Sequence, residues 1–168
     1  MELRPELLPP KLDDELVARL AELADTIDGA RPGEWEKELE EFNRLAGTSI
    51  PFLFQGIYGG ESHDEWVRRV LLYESTKLTA DVTREELIEI VRRIISDEFF
   101  NDRDAYMALF DVNVGVEGAA MLLFDPPGYD QSTNTWGGGR RMDEYDPTPE
   151  EVVDMALEKR STLKKLNE

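Results

Sequence analysis

The chain contains no cysteine, which excludes disulfides, thiol nucleophiles and thiolate metal sites together. Its single histidine, His63, has no second histidine at H-x-x-x-H spacing to complete a zinc site. Bases are scarce beside acids, 19 against 37, for a net charge of −18 at pH 7. The excess is not a tail: residues 1–80 carry 17 acids and 9 bases, residues 81–168 carry 20 and 10. A field of this sign repels nucleic acid and anionic membrane and draws basic proteins inward. No run approaches the roughly 20 apolar residues that cross a bilayer. The start, "MELRPELLPP", lacks the basic, apolar and small-residue succession of a signal peptide, so a cytoplasmic location is expected. No G-x-S-x-G elbow, P-loop or G-x-G-x-x-G occurs, and neither an enzyme nor a cofactor or metal site is expected.

What is present is an amphipathic helical pattern over most of the 168 residues, with 40% hydrophobic residues to build an interior. The spacing predicts helices over "DDELVARLAELADTI" (Leu16, Leu20, Leu23) and "PGEWEKELEEFNRLAG" (Trp35, Leu39, Phe42, Leu45), the second with Pro32 near its start. Ser62 with Glu65, Thr83 with Glu86 and Thr148 with Glu151 read as capping boxes opening three more. The Thr83 helix is expected to run through "TREELIEIVRRIISDEFF", and another from Asp102 to about Val112. "TSIPFLFQGIYGGE" is glycine-broken and reads as a packed connector. "EGAAMLLFDPP" fits a buried strand or one helical turn equally, and the double proline ends it. Residues 128–146 form a polar loop around three consecutive glycines, of a length that loops reach when functional or disordered. The fold class is therefore all-α, with an N-terminal helical region at 1–78 and a C-terminal bundle at 79–168.

The second half has a recognisable order: "TREELIEIVRRI", the acidic helix "DRDAYMALFDVNV", then "GAAMLLFDP", then "DPTPEEVVDMAL". It resembles the bacteriocin immunity proteins of the colicin nuclease type, over about residues 80–160. Gly118, Leu122, Phe124 and Pro126 match the glycine, apolar, aromatic and proline positions of that family's short third helix. Asp146, Pro149, Glu150 and Val153 match the opening of its last helix. The family's turn carries an aspartate and two tyrosines; Ala120, Leu123 and Phe124 stand there in this chain. The resemblance implies a four-helix arrangement, a helical turn at 119–124, and the last helix packed on the helix at 83–96. It also implies stoichiometric inhibition of a basic nuclease toxin. An acidic face of Asp97, Glu98, Asp102, Asp104 and Asp111 would grip the partner, beside an apolar anchor of Met121, Leu123 and Phe124.

Other readings of the same residues stay open. Met121 to Phe124 also suit plain core, and the acids at 97–111 also suit a solvated face. An acidic adaptor module would use Trp136 and "IPFLFQGIYGG" as contact surfaces. A hydrolase in the first half would build on His63 with Glu61 and Asp64.

Overall fold

Three helix starts are set by reciprocal capping. In each, the Ser or Thr oxygen accepts the N–H of the Glu three residues on, and that carboxylate accepts the cap residue's N–H. The pairs are Ser62 with Glu65, Thr83 with Glu86, and Thr148 with Glu151. The computed structural model describes residues 1–31, 33–50 and 57–166. Among them are six α-helices and one two-stranded hairpin, and the chain is all-α, 63% helical. Pro32 and residues 51–56 of the connector "TSIPFLFQGIYGGE" lie outside the described residues.

The chain divides into two compact units, Pro10–Thr76 and Met1–Pro9 with Lys77–Glu168. The first holds α1 (Asp14–Asp28), α2 (Glu36–Ala46) and α3 (His63–Ser75), with α1 packed on both others. Val17, Leu20, Leu23 and Ile27 of α1 meet Phe42 of α2 and Val67 and Leu71 of α3 in its core. Leu16 is only half-buried, because at 3.6 residues per turn it is Val17 that shares the inner stripe with Leu20, Ala24 and Ile27.

The second unit is built on α4 (Arg84–Ile95), which packs against α5 (Arg103–Val114) and α6 (Pro149–Leu166). Leu87, Ile90, Val91 and Ile94 of α4 meet Leu109 and Phe110 of α5 and Val152, Val153 and Ala156 of α6. The first nine residues belong with this unit and not with residues 10–76, whereas the sequence pattern groups them with the N-terminal region at 1–78. Leu3 and Leu7 enter its core, each worth about 1.5–3 kcal/mol on full burial. Arg4 donates two hydrogen bonds to Glu86, at 2.6 and 3.0 Å. Sequence spacing carries no signal for such a return of the chain end.

The helix expected through Phe100 stops at Ile95. Ser96 is extended and accepts the N–H of Glu98, starting a 3-10 turn at Asp97–Asp102. The ambiguous apolar run is a 3-10 turn, Ala119–Leu123, and not a strand. Residues 128–146 contain a hairpin, β1 (Thr135–Trp136) paired antiparallel with β2 (Arg140–Arg141). Gly137, Gly138 and Gly139 all take positive φ at its bend, where a side chain would be strained.

Candidate partner-binding surface

The residues expected to meet a partner all fall in the second unit, but not all at the surface. Asp97, Glu98, Asp102 and Asp104 are exposed at the start of α5. Their turn is fixed from within by Phe99, which meets Tyr106 edge-on at 5.7 Å and lies under the Arg93 guanidinium at 4.9 Å. Arg93 also donates to the Tyr106 hydroxyl at 2.8 Å and to Glu89 at 3.2 Å. Phe100 points outward, 62% exposed, with Arg103 stacked on its ring at 4.8 Å.

Asp111 departs from this pattern and corrects the expectation that it faces a partner. It is 5% exposed, and its carboxylate accepts the N–H groups of Gly118 at 3.0 Å and Ala120 at 2.7 Å. Seven residues of helix, about 10 Å of rise, separate it from Asp104. A carboxylate so placed holds the apolar turn in shape, because a buried amide without an acceptor costs about 1–3 kcal/mol. Gly118 supports the same bend with φ of 68°.

That turn splits its side chains in two. Ala119, Ala120 and Leu122 are core, and Leu123 packs partly against it. Met121 is 43% and Phe124 51% exposed. A second brace comes from the long loop, where the Tyr145 hydroxyl donates to the Leu122 carbonyl. Burial raises the Tyr145 phenol above its ordinary value, with Glu151 and Asp125 adding to the rise, so it keeps the proton it donates. Trp136 meets the Tyr145 ring edge-on at 5.0 Å and donates its indole N–H to the Arg141 carbonyl at 3.1 Å.

Carboxylates other than the expected ones line the surface beside the turn. A cleft opens beside Tyr145, lined by Trp136, Glu144 and Asp146 on the loop side and by Glu151, Met155 and Glu158 of α6. A neighbouring groove, lined by Leu122, Asp125 and Pro126, shares Met155 and Glu158 with it. Glu150 and Asp154 of the same helix are turned to α4. Asp154 accepts from Arg84 at 2.8 and 2.9 Å, and Glu150 from Arg92 at 2.6 Å. Arg84 holds the Asp154 carboxyl below its ordinary value; the helix-start N–H of Glu150, then Arg92, do the same for Glu150. The sequence marked Trp136 and the long loop but carries no hint that Glu158, in another element, would face them. Only the i, i+4, i+7 spacing of Glu151, Met155 and Glu158 on α6 was there to be read.

In the first unit, His63 is buried at the start of α3, its Nε2 3.0 Å from the Asp28 carboxylate and its Nδ1 3.5 Å from that of Asp25. The carboxylates adjacent in sequence go elsewhere, Glu61 to Arg69 and Asp64 to Arg68 at 2.8 Å. Among the described residues, no group of three or more His, Asp or Glu is placed to hold a metal ion. Nor is any helix among them long and apolar enough to cross a membrane. Compared with known proteins, the chain matches no family model, no curated protein and no solved structure.

Proposed function

We propose that this chain binds a basic protein toxin, a nuclease by the chemistry of its charge, and neutralises it stoichiometrically without catalysis, as an immunity protein does. The observation that carries the reading is the exposed pair Met121 and Phe124 on a turn braced from two sides. Asp111 holds the turn's amides and Tyr145 holds its Leu122 carbonyl. Exposed apolar side chains on a rigid backbone lose little entropy on binding, which is what an interface anchor requires.

Two further features support it. The helical turn at Ala119–Leu123 and the packing of α6 on α4 agree with what the colicin-type resemblance implies. The net charge of −18 suits a protein that occupies the cationic surface a nuclease keeps for its polyanionic substrate.

Affinity capture from the source cells with the tagged full chain tests the reading. The expected result is one basic nuclease retained in equal amount, inhibited in the complex, and released when Phe124→Ala is the bait. A captured nuclease that stays fully active, or equal capture by Phe124→Ala, would refute it.

A further inference from the structure

We propose that the cleft between the 135–147 loop and α6 receives an arginine side chain of the partner. The inference rests on the reading above that the partner is a basic protein, and names the group that this part of the surface grips.

The cleft has a volume of about 680 Å³, inside the roughly 300–1,000 Å³ range of sites that hold small groups. Its charge is lopsided. Of the lining carboxylates, Glu151 accepts the Thr148 N–H and Asp154 accepts from Arg84. Glu144, Asp146 and Glu158 have no ion-pair partner among the described residues. An anionic ligand would meet repulsion there, and an apolar one would strip water from those carboxylates without replacing it. A cation restores what the water supplied.

The aromatic wall selects among cations. The chain's own Arg140 lies with its guanidinium 4.8 Å from the Trp136 ring centroid, so the indole already serves as a seat for that group. A guanidinium is planar, weakly hydrated and able to bond a carboxylate with two parallel N–H donors, whereas an ammonium is a strongly hydrated point charge. Arg140 also lines the cleft, which makes it a like-charged competitor at the rim. Tyr145 joins the cleft wall to the Leu122 carbonyl, and the groove at Leu122 shares Met155 and Glu158 with the cleft, so the cleft adjoins the turn.

The test uses the full chain and a probe with no partner present. Nα-acetyl-arginine methylamide is titrated at constant ionic strength while the Trp136 indole N–H and Met155 methyl resonances are followed. The lysine analogue and the neutral citrulline analogue are titrated in parallel. Saturable shifts are expected with arginine, at least about fivefold weaker binding with lysine, and none with citrulline. The exposed pair Asp146→Asn/Glu158→Gln should weaken arginine binding about tenfold, and Arg140→Ala should tighten it about threefold. Absence of saturation, equal affinity for lysine, or indifference to the double substitution overturns the inference. Such a failure leaves stoichiometric capture of a nuclease standing, whereas failed capture with an intact arginine response removes the partner reading alone.

Discussion

Replacing Asp111 tests most directly how the apolar turn is held. In Asp111→Ala the amides of Gly118 and Ala120 lose their acceptor, and Ala120 is 1% exposed, so water cannot substitute there. A hydrogen bond to a charged group contributes about 1.5–3 kcal/mol, and a stranded buried donor costs about 1–3 kcal/mol. Counting each amide once gives a loss of about 3–5 kcal/mol, below the roughly 5–15 kcal/mol of an ordinary domain, so the unit should still fold. Asp111→Asn keeps one acceptor oxygen and sets an NH2 against the other amide, for a loss of about 1–2 kcal/mol. Urea titration followed through α4 and α6 amide resonances gives these values, and hydrogen exchange at Gly118 and Ala120 localises them. A loss under about 1 kcal/mol in Asp111→Ala, with the Ala120 amide still protected, would refute the bracing. Against the proposed partner, Asp111→Asn should speed dissociation and leave the salt dependence of association unchanged, since its charge does not face solvent.

Four further outcomes separate the roles of neighbouring residues. Asp102→Lys/Asp104→Lys should slow association with the proposed toxin partner severalfold at low salt and flatten its salt dependence; unchanged rates in stopped flow would remove that face from the proposed interface. Phe124→Ala should cost the free protein under about 1 kcal/mol but the complex about 2 kcal/mol or more, whereas Leu122→Ala should cost the free protein about 2–4 kcal/mol, all measured by urea titration and calorimetry. Burial works to raise the Glu86 carboxyl, yet the Thr83 amide and Arg4 outweigh it and hold the group below its ordinary 4.5. Its stabilisation is therefore complete above that value and lost as pH falls through the lower folded one, so the gap in urea midpoint between wild type and Glu86→Gln should be constant above about pH 5 and close below it. Thr148→Ala should lower the stability of the second unit by about 1 kcal/mol, measured by thermal unfolding, through loss of the α6 cap.

The capping boxes, the helix faces and the all-α class were legible in the sequence because they depend on neighbours three or four residues away. Thr83, Glu86, Leu87, Ile90 and Ile94 state a helix start and its buried stripe in one short stretch. The acids at 97–104 were legible as exposed for the same reason, since they interrupt no apolar stripe. Charge of one sign likewise needs only counting. Tertiary structure alone decided that Asp111 turns inward to two amides, that Leu3 and Leu7 return to the core of the second unit, and that Glu158 faces Trp136 across a cleft. Each of these is a meeting of groups distant in sequence or of a carboxylate with a backbone amide. Their energy comes from desolvation and geometry that exist only once the chain has closed on itself.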